Sequence, residues 1–403
     1  MKVTYNKDSV SLCLMIISVI YLSGLDIVGL DIGNITIKPQ LLCFPMLLCL
    51  SLIKKKFFIN AAWLMVSLVF IVSLLPSLFF SLNPLVSSGF LFGAFSCVCA
   101  MLFCAELTRE LKVNELLCSL MIAYRISIVI TLFLVAFGLQ QRGHFILYES
   151  SYWAIFLIPY SAIFFFRLLN GSHCNKVLDC ALLSLALLLS QSASFVIWCF
   201  FVVIALMFYM GKLNCKHFIL FMVLTIIGVV LLINFNQRAN YIYSEMLKIN
   251  TVEGVFNVLI FLAGNRIQRV LVPYYVGIEN PFFGVGAGLL RDVAPLLNPD
   301  EFKIYGISAV DFNLNSSAPG VNILLEIFSE YGTVGVIGFL GLTFYVLRNT
   351  RKNGDLLPLR VALIVTLLAL MIESNFMRYY LWVLMGFILG MHRPTLISKG
   401  LIK

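Results

Sequence analysis

The sequence predicts an all-α polytopic membrane protein with about twelve transmembrane helices and one large periplasmic loop containing short interfacial helices. Of the 403 residues, 61% are hydrophobic and only 12% are charged, whereas roughly a quarter of the residues in an average soluble domain are charged. The apolar residues also recur in runs of membrane-spanning length. A single long stretch, 236–319, interrupts these runs. The composition therefore excludes a soluble enzyme and a nucleic-acid-binding protein.

Twelve apolar runs are candidate spans, because a helix needs about 20 apolar residues to cross the hydrocarbon core of a bilayer. The short runs among them would have to stand nearly upright or include flanking residues. The runs are 9–25, 39–53, 58–80, 84–105, 115–137, 151–168, 177–190, 195–211, 217–235, 320–347, 361–374 and 376–391. The chain thus divides into helices 1–9 over 1–235, the loop 236–319, and helices 10–12 with a cytoplasmic tail over 320–403.

The basic residues set the orientation of these spans. Lys and Arg gather in the segments that are cytoplasmic if both termini lie inside, as in the run Lys54–Lys56. In this topology no short outer connection holds more than one basic residue. The net charge of +9 is then explained by the cytoplasmic loops rather than by an anionic partner.

The loop 236–319 is the only segment large enough to fold over the membrane. Its apolar part, 252–278, is interrupted by glycine and proline, which predicts short helices at the membrane surface. Arg266 and Arg269, in GNRIQRVLVPYY, would share one face of such a helix, a geometry suited to a phosphate or diphosphate. A surface helix with two snorkelling arginines would have the same sequence.

Glycines recur in two further segments. In NPFFGVGAG, 280–288, they would let backbone amides approach a ligand, or they would form a tight turn. In 332–341 they recur every third residue, which is more typical of close helix packing than of a site.

Three basic residues in the first half of the chain are candidate site residues. Arg125 lies midway along a predicted span, where a charge is expected to face a functional cavity. The alternatives are that it snorkels to the cytoplasm or forms a buried ion pair, for example with Glu373. Arg142 and His144 lie in a short outer loop. The predicted topology puts the other histidines on the cytoplasmic side, so a histidine base at the outer face would be His144. A surface histidine without a role is the commoner case.

The tenth span begins with polar residues at four-residue spacing. Asn322, Glu326 and Glu330 would project from one face of the outer half of this helix. A carboxyl group in apolar surroundings is a candidate general base or acid. The alternative is an ion pair with Arg125 or Arg378 that holds the bundle together.

These motifs resemble the bacterial O-antigen polymerase and O-antigen ligase superfamily. The resemblance rests on R-I-Q-R at 266–269, N-P-F-F-G-V-G-A-G at 280–288 and N-I-L-L-E-I-F-S-E-Y-G-T-V-G at 322–335, within a layout of about twelve spans and a long outer loop. The layout extends over the whole chain, whereas the motifs lie within about 266–340. Ligase-like members often have a His-Asn pair where this chain has Val321-Asn322, and this difference favours a polymerase.

The resemblance implies roles for the candidate residues. Basic residues of the outer segment would bind the undecaprenyl diphosphate of a lipid-linked glycan. In this chain they would be Arg266, Arg269 and Arg142, with Arg125 as an intramembrane candidate. The catalytic base stays open between His144 and Glu326.

The activity implied is that of an O-antigen polymerase, a metal-independent glycosyltransferase of lipopolysaccharide biosynthesis without a cofactor. It would join undecaprenyl-diphosphate-linked oligosaccharide repeat units at the periplasmic face of the bacterial inner membrane. The expected partners are this lipid-linked oligosaccharide, membrane lipids, a chain-length regulator and a flippase, but no nucleic acid. One alternative is an O-antigen ligase that transfers the glycan to lipid A-core. The other is a lipid-linked oligosaccharide flippase, which should consist of two similar halves.

Overall fold

The computed structural model describes residues 7–32, 35–53, 60–171, 175–211, 230, 243–244, 266–305, 307, 312–313, 320–350, 354–373 and 376–391. Helices make up most of this part. They are α1 (Lys7–Gly24), α2 (Pro39–Ile53), α3 (Ala61–Leu74), α4 (Pro76–Phe79), α5 (Pro84–Thr108), α6 (Val113–Ala136), α7 (Ser150–Phe156), α8 (Ile158–Leu169), α9 (Lys176–Ser190), α10 (Ala193–Tyr209), α11 (Arg266–Glu279), α12 (Leu290–Val293), α13 (Ile323–Asn349), α14 (Leu357–Glu373) and α15 (Tyr379–Met391). Short 3₁₀ helices cover Ala294–Leu296, Pro299–Tyr305 and Gly354–Leu356.

Helices lie in every predicted span that falls within the described residues, while 217–235 lies outside them except for Val230. Five helical segments are long and apolar enough to cross a membrane: Ala61–Phe79, Pro84–Thr108, Val113–Ala136, Ile323–Asn349 and Gly354–Glu373. The pair α7 and α8, bent by 42°, is a sixth if it counts as one span. Four further apolar helices are shorter. The described part is thus suited to a multi-pass membrane protein, and the number twelve stays a prediction.

A small β-hairpin is the exception to the predicted all-α fold. Strands β1 (Leu30–Ile32) and β2 (Ile35–Ile37) pair antiparallel, with Leu30 opposite Ile37. The pairing agrees with the local sequence, because Ile32, Ile35, Thr36 and Ile37 are β-branched residues, which favour strands. The segment was too short to stand out among the apolar runs.

The first turn of α13 corrects one prediction. Asn322 precedes the helix, and its side-chain oxygen accepts hydrogen bonds from the backbone N–H groups of Leu324 and Leu325, both at 3.0 Å. It is therefore the N-cap and not a member of the face that carries Glu326. Further along, α13 is kinked at Gly332, which has a φ of 68°.

Glycines allow close helix contacts among the described helices. On α15, a Cβ atom at Gly386 would lie 2.3 Å from the carbonyl oxygen of Met101, and one at Gly390 would lie 2.0 Å from that of Ala105. Only glycine permits helices α5 and α15 to approach this closely. On α13, Gly338 has the same role against Ser73 of α3, while a Cβ atom at Gly341 would meet nothing within 4 Å.

The described part of the predicted loop is a packed unit. Helix α11 packs against α13, and Gln268 donates a hydrogen bond to the carbonyl oxygen of Phe312 at 2.8 Å. A second apolar core forms beneath this helix, separate from that of the bundle, and consists of Val272, Val276, Val285, Leu289, Leu290, Ala294, Phe302 and Phe312. Since α11 begins at Arg266, this core fixes the position of the predicted arginine pair.

Candidate functional site

Charged side chains from distant parts of the chain meet at one end of the bundle. Asp26, after α1, forms an ion pair with Arg378, just before α15, at 2.6 Å. Glu373, the last residue of α14, accepts a hydrogen bond from Ser194 in the first turn of α10 and lies 3.7 Å from the guanidinium of Arg266. These helix ends are the ones that the predicted topology puts on the outer side. We call these residues, together with Tyr152, Arg269 and Glu326, the charged cluster.

Arg269 interacts with residues from two parts of the chain, the segment at the start of α7 and the first turn of α13. Its guanidinium interacts electrostatically with Tyr152, Glu149, Arg266 and Glu326. Burial lowers the pKa of Arg269 from its ordinary value, but a guanidinium remains charged at neutral pH. The arginine pair that the sequence predicted is thus close both to the loop that follows α6 and to the start of α13.

A polar pocket lies in the loop between α6 and α7. Gln141, Arg142, His144, Glu149 and Ser150 line it, and its volume is about 340 Å³. This volume is at the lower end of the range for small-molecule sites. Two of the predicted site residues therefore share one pocket, and its Glu149 connects it electrostatically to Arg269.

His144 is held in one orientation by its own loop. Its Nδ1 lies 2.6 Å from the carbonyl oxygen of Leu147, and since a carbonyl can only accept, Nδ1 carries the hydrogen. In the neutral ring the lone pair is then on Nε2, the atom that would accept a proton. Gln140 accepts a hydrogen bond from the His144 backbone N–H and donates one to the Phe145 carbonyl. Phe145 itself has a φ of 55°, a strained conformation of the kind often found at functional sites.

Glu326 is a buried carboxyl group with unused hydrogen-bonding capacity. The residue is 7% exposed, and its Oε2 has no hydrogen-bond partner among the residues that the structure describes. It interacts electrostatically with Glu330, Arg291, Arg378 and Arg269, in decreasing order. A buried carboxyl oxygen without a hydrogen-bond partner is available for a proton or for a substrate hydroxyl.

Glu330, one turn further along α13, has a different role. Its carboxylate accepts hydrogen bonds from the backbone N–H groups of Gly288 and Leu290. Its own carbonyl oxygen accepts from Gly286 N–H at 3.1 Å. Glu330 therefore fixes the glycine-rich segment against α13.

The glycine-rich segment 280–288 forms a tight turn on the kink of α13. Val285 N–H donates to the Ser329 carbonyl at 2.9 Å. A Cβ atom at Gly284 would lie 2.3 Å from the backbone of Glu330, and its φ is +69°. Since the N–H groups of Val285 and Gly286 bond to α13 and that of Gly284 bonds to Asn280 within the turn, the segment is a tight turn, and these amides are not available to a ligand.

Arg125 lies apart from the charged cluster. Its guanidinium donates two hydrogen bonds to Asp179, at 2.8 and 2.6 Å, and the hydroxyl of Tyr160 donates a third at 2.7 Å. Asp179 is in the first turn of α9, whereas the opposite end of α9, at Leu189, contacts the loop that contains His144. The suggested pairing of Arg125 with Glu373 is wrong, and its partner is Asp179.

Several residues of the site could not be identified from sequence. Asp26 is an isolated acidic residue in the connection that follows α1, and 352 positions separate it from Arg378. Tyr152 lies under Arg378, 3.9 Å from the guanidinium carbon to the ring centre. No sequence spacing relates these residues, and only the packing of α1, α7 and α15 brings them together.

Metal ligands are not grouped in the part of the chain that the structure describes, where no three His, Cys, Asp or Glu side chains are close enough to hold an ion. Among known proteins, no family model matches this chain and no curated protein is significantly similar to it. A functional interpretation therefore rests on the charged cluster and on the resemblance of the motifs.

Proposed function

We propose that the protein is an O-antigen polymerase that joins undecaprenyl-diphosphate-linked oligosaccharide repeat units at the periplasmic face of the bacterial inner membrane. The observation that supports this most strongly is the packing of α11 against α13. The N–H of Val321, next to the start of α13, donates to the Arg269 carbonyl oxygen at 3.4 Å, and Arg266 lies 3.7 Å from Glu373. Since Glu149 of the polar pocket and Glu326 both contribute to the electrostatic surroundings of Arg269, two arginines suited to a diphosphate, a polar pocket and two candidate bases belong to one end of the bundle. A polymerase requires these three elements together.

The proposed reaction needs little beyond positioning and charge. A hydroxyl of the acceptor sugar attacks the anomeric carbon of the donor glycan, and the bond from that carbon to the diphosphate oxygen breaks. The electron pair of this bond leaves with undecaprenyl diphosphate. Arg266 and Arg269 would stabilise the negative charge that develops there through charge-assisted hydrogen bonds. Because two phosphates already activate the leaving group, neither a nucleotide nor a metal ion is required.

Arg266 is suited to this role because its present contact is weak. Its side chain is 42% exposed, and the 3.7 Å separation from Glu373 is longer than a hydrogen bond. The guanidinium can therefore turn toward a diphosphate while Glu373 keeps its hydrogen bond from Ser194. Arg142, in the polar pocket, would contact the same diphosphate or the acceptor sugar.

The acceptor hydroxyl must lose its proton to a base. His144 offers Nε2 in the polar pocket, and Glu326 offers its unpartnered Oε2. Substitutions separate the two candidates, because the residue that acts as the base controls kcat while the other controls binding or packing.

A lipopolysaccharide gel of the source strain tests this function. The gene is deleted and restored as wild type, Arg266→Ala, Arg269→Ala or the control Lys303→Ala. Lys303 is an exposed residue of the same predicted loop, paired with Asp300 at 2.7 Å.

A polymerase predicts that deletion leaves core plus a single repeat and removes the ladder. Wild type and Lys303→Ala should restore the ladder, and the two arginine variants should not. Loss of the single-repeat band as well would contradict the proposal and favour the ligase or the flippase.

A further inference from the structure

Glu373 is a buried acid beside one of the two arginines proposed to bind the diphosphate. It is the last residue of α14, and its side chain is 2% exposed. Its Oε1 accepts a hydrogen bond from the Ser194 hydroxyl and lies 3.7 Å from Nη1 of Arg266. Its Oε2 is buried and has no hydrogen-bond partner among the described residues. Ser194 thus fixes the carboxylate in place, next to the guanidinium of Arg266.

The backbone of Arg266 is held more firmly than its side chain. Arg266 is the first residue of α11, which packs against α13 and is tied to Phe312 through Gln268. The side chain itself is half-exposed, and a long side chain of this kind samples many rotamers. A ligand that binds such a guanidinium has to restrict this freedom, which lowers its affinity. A fixed negative charge beside the guanidinium restricts it before the ligand arrives.

The length of the contact with Glu373 is suited to this task. A separation of 3.7 Å is within the range of an ion pair but longer than a hydrogen bond. Electrostatic attraction therefore restrains the guanidinium without using its N–H groups in hydrogen bonds to Glu373, so these groups can bind phosphate oxygens. Because the carboxylate is buried and the arginine is half-exposed, a ligand from outside meets the guanidinium first.

We propose that Glu373 is a positioning residue that holds the guanidinium of Arg266 in place for the diphosphate of the lipid-linked donor. The inference rests on the part of the proposed function in which Arg266 binds this diphosphate. It assigns to the outer ends of α10 and α14, through Ser194 and Glu373, a part in donor binding without any contact to the donor.

Binding of undecaprenyl diphosphate to the purified full chain in lipid nanodiscs provides the test. Glu373→Gln keeps the size of the side chain and an oxygen for the Ser194 hydroxyl, but it removes the charge. This variant should raise Kd by about 2- to 12-fold, the factor that corresponds to ordering one long side chain. An unchanged Kd would overturn the inference. A lower Kd would overturn it as well, because Glu373 would then repel the ligand rather than position Arg266.

A double-mutant cycle distinguishes positioning from a purely structural role. In the Arg266→Ala background, Glu373→Gln should have no further effect on Kd, since the residue that it positions is absent. A structural role predicts the same increase in both backgrounds, and this result would contradict the inference. Asp300→Asn is the matched control, because it removes an acid from an exposed ion pair in the same predicted loop. It should leave Kd unchanged, and an increase as large as that of Glu373→Gln would reduce the effect to overall charge.

A second variant keeps the inference testable if Glu373→Gln folds poorly. Ser194→Ala removes the hydrogen bond that fixes Oε1 of Glu373, while the charge of the acid remains. It should raise Kd in the same direction, and only while Arg266 is present. A Kd equal to that of wild type, or an increase that persists in Arg266→Ala, would count against the positioning role.

An elongation assay on the same samples separates this inference from the proposed function. If wild type binds undecaprenyl diphosphate with the predicted dependence on Glu373 but does not elongate lipid-linked repeats, the polymerase function is wrong and the positioning of Arg266 stands. If wild type elongates them and Glu373→Gln leaves Kd unchanged, the function stands and the inference is wrong. Wild-type protein that binds no undecaprenyl diphosphate would refute both.

Discussion

Replacing Glu326 by glutamine is the most informative single change in the charged cluster. Glutamine has nearly the same shape, so the packing of the first turn of α13 should survive. It cannot accept a proton at neutral pH, however. Because Glu326 Oε2 has no hydrogen-bond partner among the described residues, the substitution removes no hydrogen bond of that oxygen. The expected effect is therefore on the reaction and not on folding.

The size of this effect follows from the role assigned to the carboxyl group. A positioned general base accelerates a reaction by about 10²- to 10⁴-fold, which corresponds to ~2.7–5.4 kcal/mol in activation free energy. Glu326→Gln should lower kcat within this range while the donor KM changes little, since Arg266 and Arg269 still hold the diphosphate. The melting temperature should change little, because glutamine keeps the shape of the side chain and Glu326 Oε2 makes no hydrogen bond to the described residues.

The neighbouring acid is the matched control. Glu330 lies on the same helix, one turn away, and is buried to a similar degree. Its carboxylate accepts the N–H groups of Gly288 and Leu290, so Glu330→Gln puts an amide donor against a backbone donor. Leaving one of these groups unpaired costs about 1–3 kcal/mol. The control should therefore lose thermal stability and lose less kcat than Glu326→Gln.

The assay follows elongation of undecaprenyl-diphosphate-linked repeats by purified protein, with melting measured on the same samples. A kcat for Glu326→Gln within about threefold of wild type would refute the reasoning, because a base cannot be removed at so small a cost. If His144→Ala then lowers kcat instead, His144 is the base.

Three further predictions concern binding and packing. Arg269→Ala should raise the donor KM by about 10- to 100-fold, because one charge-assisted contact contributes ~1.5–3 kcal/mol, whereas Lys303→Ala should leave KM unchanged; equal effects would exclude a specific role for Arg269. Gly390→Leu should destabilise the protein by about 1–3 kcal/mol through overlap with the facing helix, and a melting curve of Gly341→Leu, where a Cβ atom meets nothing within 4 Å, is its control. Asp179→Asn should lower the melting temperature by breaking a buried ion pair, at a cost of up to about 3–5 kcal/mol, while the donor KM stays constant; a large KM change would place Asp179 in the site.

The fold could be predicted from the sequence where it depends on residues that are close together in the chain. Apolar runs mark helices because a membrane-spanning helix must be apolar along its length, and α11 carries Arg266 and Arg269 as their three-residue spacing predicted. The hairpin at 30–37 was missed because its two strands have three residues each. Asn322 was placed on the helical face because spacing alone does not distinguish an N-cap from the first turn.

The site could be predicted only in part, because its contacts are distant in sequence. Arg125 was recognised as a costly intramembrane charge, but its partner Asp179 lies 54 positions away within a run that was counted as apolar. Asp26 has no charged neighbour in sequence that would mark it, although folding brings it to Arg378. Residue type and predicted topology indicated the arginines, His144 and Glu326, but neither contains information on which side chains neutralise each other.

The most direct test of the central claim is an elongation assay with wild-type protein in detergent or in vesicles. Synthetic undecaprenyl-diphosphate-linked repeat units are supplied without nucleotide, and both the glycan lengths and the released undecaprenyl diphosphate are measured. The account predicts a ladder of glycans, with one undecaprenyl diphosphate released for each unit added, and loss of both in Arg266→Ala/Arg269→Ala. Folded wild-type protein that forms no ladder and releases no undecaprenyl diphosphate would contradict it.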